Sequence, residues 1–291
     1  MSVSVSTLEL HYDCNMLLLG IDLGTSSVKV SVIDAHTQDA IVSVQYPETE
    51  RTILSPQPNY AEQSPNQWWE DVKAAIKKAH ASGEYDSKDI AAIGISYQMH
   101  GLVCIDKNKE VLRNAIIWCD SRAVEIGEKA YQTLGEAYCN EHLLNSPGNF
   151  TASKLKWIKD NEPKIFEKID SILLPGDFIA MKLTGAVSTT ISALSEGIFW
   201  DFKEHKISAK LLQHYGINES VIPPVKDLFS IHGQVQQPVA KELGFKRNTV
   251  VSYKAGDQPN NALSLNVLNP GEVAATAGTS GVIYSVTDKL S

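Results

Sequence analysis

Apolar and polar residues follow a strand-like pattern in three successive segments, 16–23, 28–33 and 40–46. The first is an almost continuous apolar run that begins at Met16, and the other two alternate with a period of two residues. That period is typical of side chains on the two faces of a β-strand. Because short polar turns separate the segments, the sequence predicts an antiparallel meander of three strands.

The next strong pattern is helical and follows a proline-containing loop. Ser64 has the side chain of an N-cap, Pro65 suits the first helical position, and Gln67 would complete a capping box. Four apolar residues at helical spacing form the predicted buried face: Trp68, Val72, Ile76 and Ala79.

Strands and helices then alternate to the end of the chain, which indicates an α/β fold. The predicted strands are 90–97, 102–105, 114–118, 172–174, 249–253, 272–276 and 282–286, and the predicted helices are 123–134, 153–160, 177–183 and 259–268.

Composition and charge exclude several classes of protein. The chain has 291 residues, of which 43% are hydrophobic and 21% charged, so it is neither fibrous nor disordered. A net charge of −8 argues against nucleic-acid and anionic-membrane partners. No apolar run approaches the roughly 20 residues that cross a bilayer. The sequence leaves the oligomeric state open, a homodimer included.

The cysteines and the first fifteen residues bear on location. Four cysteines without a CxxC pair indicate neither a zinc knuckle nor a thioredoxin-like site. Cys104 and Cys119 lie in apolar runs and are interpreted as buried thiols, which favours a reducing, cytoplasmic environment. Residues 1–15 lack the basic start and apolar centre of a signal peptide and are interpreted as a leader or disordered segment.

Two glycine-hydroxyl turns are candidates for phosphate binding. Glycine allows backbone N–H groups to approach an anion closely, and hydroxyls add donors. Either turn alone is more typical of an ordinary hairpin, but two of them, the first preceded by Asp22, favour a phosphate site. No P-loop pattern is present. The turns are Gly24, Thr25 and Ser26, and Gly278, Thr279 and Ser280.

Three further segments place polar side chains after predicted strands. Asp257 and Gln258 lie between a strand and a helix, the usual ligand position in α/β sheets, although Asp257 suits a helix N-cap equally well. Gln98, Met99 and His100 interrupt two apolar strands, where a histidine is either a core residue or a partner of sugar hydroxyls. The segment 118–122, Trp-Cys-Asp-Ser-Arg, places an acid and a base after a strand, a pattern also typical of a helix cap with a surface ion pair.

These five segments, in this order, resemble the FGGY family of carbohydrate kinases, and most closely its xylulokinase branch. Trp68-Trp69 and Leu173-Leu174-Pro175-Gly176-Asp177 add to the resemblance, which extends from Met16 to the end of the chain. The resemblance implies an actin/hexokinase-like (ribonuclease H-like) ATPase domain, with a mixed sheet flanked by helices. It also implies the reaction of D-xylulose with ATP to give D-xylulose 5-phosphate and ADP.

The resemblance implies a role for each candidate residue. Asp257 would be the catalytic base and also contact the sugar, together with Gln98, Met99, His100 and Gln258. Asp22 would lie near Mg²⁺ and the transferred phosphate. The two turns, Gly24-Thr25-Ser26 and Gly278-Thr279-Ser280, would bind the phosphates of ATP.

The chain also departs from the family pattern. Tyr253-Lys254-Ala255 stands where many members have glycines, and Pro259-Asn260-Asn261 follows Gln258. The resemblance implies that residues 16–291 form the N-terminal sugar-binding domain, that the C-terminal nucleotide domain is absent, and that this domain alone has little activity. Two alternatives stay open: another sugar or polyol kinase of the family, acting on ribulose, fuculose, gluconate or glycerol, and a non-catalytic actin-fold sugar-binding protein.

Overall fold

A computed structural model describes residues 16–277 and 281–289. The leader at residues 1–15 and the second turn, Gly278, Thr279 and Ser280, lie outside the described residues. The strands are β1 Leu17–Leu23, β2 Val28–Asp34, β3 Ala40–Tyr46, β4 Glu62–Gln63, β5 Ile90–Tyr97, β6 Val103–Ile105, β7 Ala115–Ile116, β8 Ser171–Leu173, β9 Thr189–Thr190, β10 Trp200–Asp201, β11 Lys206–Ile207, β12 Val225–Lys226, β13 Gly233–Gln234, β14 Val250–Gly256, β15 Val273–Ala277 and β16 Gly281–Ser285. The α-helices are α1 Pro65–His80, α2 Val124–Leu134, α3 Glu136–Tyr138, α4 Thr151–Asn161, α5 Pro163–Phe166, α6 Pro175–Thr184, α7 Ile191–Glu196, α8 Ala209–Tyr215, α9 Gln237–Leu243 and α10 Asp257–Ser264.

A six-stranded mixed sheet in the order β13-β14-β5-β1-β2-β3 forms the centre of the fold. Strands β1, β2 and β3 are antiparallel neighbours, which confirms the predicted meander. Strands β1, β5 and β14 run parallel to one another. The parallel register pairs Leu23 with Tyr97, and Tyr97 with Gly256, so these three strands end at one edge of the sheet.

The fold has two apolar cores, and strand β6 contributes to both: Val103 and Ile105 belong to the first core and Cys104 to the second. In the first, alternate residues of β1, β2 and β5 pack against α1 and α6. All four residues of the predicted apolar face of α1, Trp68 to Ala79, are fully buried there. The second core joins β6 and β8 to α2, α4 and α8. The predicted α/β class, a mixed sheet with flanking helices, is therefore confirmed.

Helix α1 begins as predicted, but its cap differs in one respect. The Ser64 hydroxyl accepts from the Gln67 backbone N–H, as the N-cap prediction requires. The Gln67 side chain does not complete the capping box, because its amide donates to Asp71 on the next turn, at 2.9 Å.

Two other expectations from the sequence are wrong. Cys104 is buried as expected, but Cys119 is exposed, because strand β7 ends at Ile116 and the following turn leads the chain to the surface. Helix α10 begins at Asp257 rather than at Pro259, and Gly256 is its N-cap. Asp257 is therefore not a capping residue.

Candidate active site

The edge at which β1, β5 and β14 end gathers the polar segments that follow these strands. Thr25 lies in the turn after β1, Met99 and His100 follow β5, and Asp257 and Gln258 follow β14. These five residues line one cavity of about 270 Å³, together with Trp118 and Val282. The end of parallel strands is where α/β sheets bind their ligands, because loops from several strands converge there.

Asp257 is half-buried at the first position of α10. Burial, and secondarily the negative charge of Asp22, raise the pKa of the Asp257 carboxyl above its ordinary value, whereas hydrogen bonds from Gln258 oppose the shift. A carboxylate with a raised pKa is a stronger proton acceptor than a free one.

His100 is held in one tautomer. Its Nδ1 lies 2.9 Å from the backbone oxygen of Glu196, and a carbonyl oxygen only accepts, so Nδ1 carries the proton. Burial is the main cause that lowers the pKa of His100 to about 4, so the ring is neutral at physiological pH. Nε2 is consequently a hydrogen-bond acceptor, which suits a sugar hydroxyl.

The His100 backbone is fixed by a buried lysine that belongs to none of the motifs in the sequence. His100 has a φ of 59°, in the left-handed region. The fully buried Lys154 on α4 donates to the carbonyl oxygens of His100 and Ile117, at 2.9 Å and 3.0 Å. Burial lowers the pKa of Lys154 to about 7. This one amine thus ties together the two loops that carry His100 and Trp118 into the cavity.

Thr25 is held in place by side chains from three directions. Its hydroxyl accepts from the Trp118 indole at 2.9 Å and donates to Gln98 at 3.3 Å. The Gln63 amide donates to the Thr25 carbonyl oxygen at 2.8 Å. Trp118 is not among the predicted site residues; its position at the end of the predicted strand 114–118, in front of the polar residues 120–122, is the sequence signal for it.

Gln98 does not line the cavity, in contrast to its expected contact with the sugar. It is 2% exposed, and its amide donates to Gln63 while its oxygen accepts from Thr25. Both polar ends are therefore used inside the protein, and Gln98 supports the turn after β1. Gly256 leaves space for the Met99 side chain, because a Cβ at this position would lie 2.5 Å from the Met99 Cγ atom.

Asp22 lines a different cavity, of about 420 Å³, with Lys29, Ser31 and Asn260 among its neighbours. Its side chain is 40% exposed and lies 3.8 Å from the Lys29 amine. Within residues 16–277 and 281–289, no group of three or more His, Cys, Asp or Glu side chains could hold a metal ion. A single accessible carboxylate nevertheless fits Mg²⁺, which commonly binds one or two carboxylates together with substrate phosphates and water.

The segment 118–122 forms neither a surface ion pair nor part of this cavity beyond Trp118. Asp120 and Arg122 are buried and bonded to each other at 2.6 Å, and Arg122 also reaches Glu62 at 2.8 Å. The Arg122 guanidinium lies 3.7 Å above the Tyr60 ring. The acid and base of this segment thus hold the loop before α1 rather than a ligand at the strand edge.

Most of the amino-acid sequence matches a known family. Residues 17–264 match the model of the FGGY family of carbohydrate kinases, N-terminal domain. The chain belongs to this family. In the part of the chain that the structure describes, no helix is long and apolar enough to cross a membrane.

Known proteins of the family align over nearly all of this chain. The xylulose kinase of Escherichia coli strain K12 is 33% identical over 274 residues, which are 94% of this chain and 54% of that protein. A crystal structure described as a xyloylose kinase from Brucella ovis has a TM-score of 0.84 and 31% identity, covering 92% of this chain and 54% of that one. A glycerol kinase from Plasmodium falciparum, at 23% identity and a TM-score of 0.83 over 92% of this chain and 53% of its own, shows the same fold.

Two conclusions follow from these similarities. The structural neighbours are FGGY carbohydrate kinases, so the predicted actin/hexokinase-like fold is confirmed. The chain spans about half the length of the curated relatives that it matches.

Proposed function

We propose that this chain supplies the sugar site, the catalytic base and the first phosphate loop of an ATP-dependent ketopentose kinase that converts D-xylulose to D-xylulose 5-phosphate. The observation that carries the proposal is the common edge of β1, β5 and β14, where Thr25, His100 and Asp257 line one cavity. A cavity of about 270 Å³ lies near the lower end of ligand pockets, roughly 300 Å³, and suits a small polar molecule. The similarity to xylulose kinases at about one-third identity supports the choice of sugar.

The residues of the cavity account for the proton transfer. The sugar hydroxyl gives its proton to the Asp257 carboxylate while its oxygen forms a bond to the γ-phosphorus of ATP, and the bond from that phosphorus to the β-phosphate oxygen breaks to release ADP. An alcohol is a weak nucleophile until a carboxylate within about 3 Å accepts its proton. His100, as a neutral acceptor at Nε2, orients a second hydroxyl, and the apolar Met99 side chain bounds the sugar.

Backbone N–H groups and Asp22 would together bind and stabilise the phosphates of ATP. The N–H groups of Gly24-Thr25-Ser26, and the second turn at residues 278–280, would contact the phosphate oxygens. Asp22 would hold Mg²⁺, which when bound offsets negative charge on the transferred phosphate. We place the adenine pocket in the remaining length that the relatives have and that this chain does not span.

A sugar panel with an active-site variant tests this function. The protein is assayed at the full length of its relatives with ATP and D-xylulose, ribulose, fuculose, gluconate and glycerol, with ADP release as the readout. We expect D-xylulose to give the highest kcat/KM. Asp257→Asn should reduce kcat by about 10²- to 10⁴-fold, the usual contribution of a general base, with MgADP binding retained.

The exposed Asp39, in the turn between β2 and β3 at the opposite end of β2, provides a control. Asp39→Asn removes one carboxylate and should leave kcat unchanged. Preference for another polyol would replace D-xylulose as the substrate. A rate that Asp257→Asn does not change would instead support a non-catalytic sugar-binding protein.

A further inference from the structure

The backbone carbonyl oxygens of Gly24, Thr25 and Ser26, in the turn after β1, all accept hydrogen bonds from one residue, Arg51. Arg51 Nη1 donates to the Gly24 and Thr25 oxygens, each at 3.2 Å. The Arg51 backbone N–H donates to the Ser26 oxygen at 2.7 Å. A single residue, distant in sequence and outside every motif, thus binds three successive carbonyl groups.

Arg51 is itself fixed by a buried carboxylate. Its Nε and Nη2 atoms donate to one oxygen of Asp71, on α1, at 2.9 Å and 2.6 Å. The other Asp71 oxygen accepts from Gln67 at 2.9 Å. The two side chains of the pair are 8% and 4% exposed, so water does not compete effectively for these bonds.

The hydrogen bonds to the carbonyl oxygens of residues 24–26 also determine where the N–H groups of residues 25–27 point. A trans peptide is planar, and its N–H points away from the carbonyl oxygen of the preceding residue. With three carbonyls turned inward, the N–H groups of Thr25, Ser26 and Ser27 point to the other side of the turn. None of them donates to an acceptor within residues 16–277 and 281–289. Successive N–H groups on one side of a turn form a concave anion site.

We propose that Arg51, held by Asp71, is a positioning residue of the first phosphate loop, which binds the carbonyls of residues 24–26 so that the next three N–H groups face the nucleotide phosphates. This assignment rests on the proposed kinase function, because the anion it serves is ATP. Lysine could not replace Arg51, since a single ammonium group cannot bind Asp71 and two carbonyls in the fixed geometry of a guanidinium.

Variants at Arg51 test the assignment in the protein at the full length of its relatives. Arg51→Met should raise the KM for ATP and the Kd for MgADP by about 10- to 100-fold, the equivalent of one or two charge-assisted hydrogen bonds. The KM for the sugar should not change. Arg51→Lys should restore only part of the loss. Hydrogen–deuterium exchange without ligand is read at the Gly24 N–H, which donates to the Ser27 oxygen at 3.0 Å and so reports whether the turn keeps its shape. This exchange should be faster in Arg51→Met than in the wild type.

Arg113→Met is the matched control. Arg113 is also a buried arginine, 9% exposed, with ion pairs to Glu62 and Glu162, but it bonds to no residue of the turn. Its loss should lower the melting temperature without changing the KM for ATP or the exchange of the Gly24 N–H.

Each outcome decides between the assignment and its alternatives. If Arg51→Met lowers the melting temperature like Arg113→Met, but keeps the wild-type Kd for MgADP and the wild-type exchange, Arg51 is only structural and the assignment is overturned. If the wild type neither binds MgADP nor phosphorylates any sugar, the kinase proposal fails. The assignment of Arg51 as the residue that orients the turn is then decided by exchange alone: equal rates in variant and wild type contradict it.

Discussion

Lys254 is one of the residues in which this chain departs from the glycine-rich pattern of its family, and the structure assigns it a partner. Its amine lies 2.6 Å from the Asp177 carboxylate, and both side chains are 1% exposed. It also donates to the Ser188 carbonyl oxygen at 2.6 Å. Strand β14 is therefore anchored to α6 three residues before Asp257. We predict that Lys254→Met is strongly destabilising.

The magnitude follows from the burial of the pair. Removing one partner leaves a charge buried without its counter-charge, which costs about 3–5 kcal/mol. That is a large share of the roughly 5–15 kcal/mol that holds a domain folded. The double variant Lys254→Met/Asp177→Asn removes both charges, and it should therefore be more stable than Lys254→Met alone.

Urea unfolding followed by circular dichroism measures these free energies, with Lys206→Met as the control. Lys206 pairs with Glu204 at 3.2 Å, but its side chain is 60% exposed, so its loss should change the free energy of unfolding by less than about 1 kcal/mol. A Lys254→Met variant that costs no more than the control would contradict a stabilising role for the buried pair. A double variant less stable than Lys254→Met would contradict a cost that arises from the unpaired charge.

Two further predictions concern residues at the cavity. Lys154→Met should raise the KM for the sugar about tenfold and leave the KM for ATP unchanged, because the carbonyls of His100 and Ile117 lose their common donor; equal effects on both constants would contradict this. Asp257→Asn should raise the melting temperature at neutral pH, because burial disfavours the ionised carboxyl. Because the pKa of Asp257 is raised in the folded state, the folded wild type is favoured while this carboxyl is protonated. Its free energy of unfolding therefore falls as pH rises from the ordinary carboxyl pKa to the raised pKa of the folded state. The gap in melting temperature should therefore open over that range in a fluorescence melt and persist above it; a variant less stable than the wild type at pH 7 would oppose it.

The sequence predicted those elements whose pattern is local. Strands β1 to β3 and helix α1 were found because alternation, an N-cap and a 3.6-residue period are visible within one segment. The two-residue strands β9 to β13 are not predicted, because two residues are too few to show a period of two, and only backbone pairing defines these strands. Cys119 follows an apolar run and is nevertheless exposed, because strand β7 ends at Ile116 and the chain then turns to the surface.

The same distinction applies to the site. Thr25 is selected by its glycine-hydroxyl turn, His100 by the polar residues that interrupt two apolar strands, and Asp257 by its position between a strand and a helix. Arg51 and Lys154 are not selected, because each acts on carbonyl groups of distant residues, and a backbone carbonyl leaves no mark in the sequence. Gln98 also follows β5, and the sequence predicts a contact with the sugar. Its side chain instead points into the protein, where it bonds to Thr25 and Gln63.

A crystal structure with bound D-xylulose would show whether the cavity at the ends of β1, β5 and β14 is the sugar site. We predict one sugar in the cavity lined by Met99, His100 and Asp257, with its 5-hydroxyl within about 3 Å of the Asp257 carboxylate and another hydroxyl donating to His100 Nε2. A sugar bound elsewhere, or bound there with the Asp257 carboxylate facing only C–H groups or solvent, would contradict this prediction.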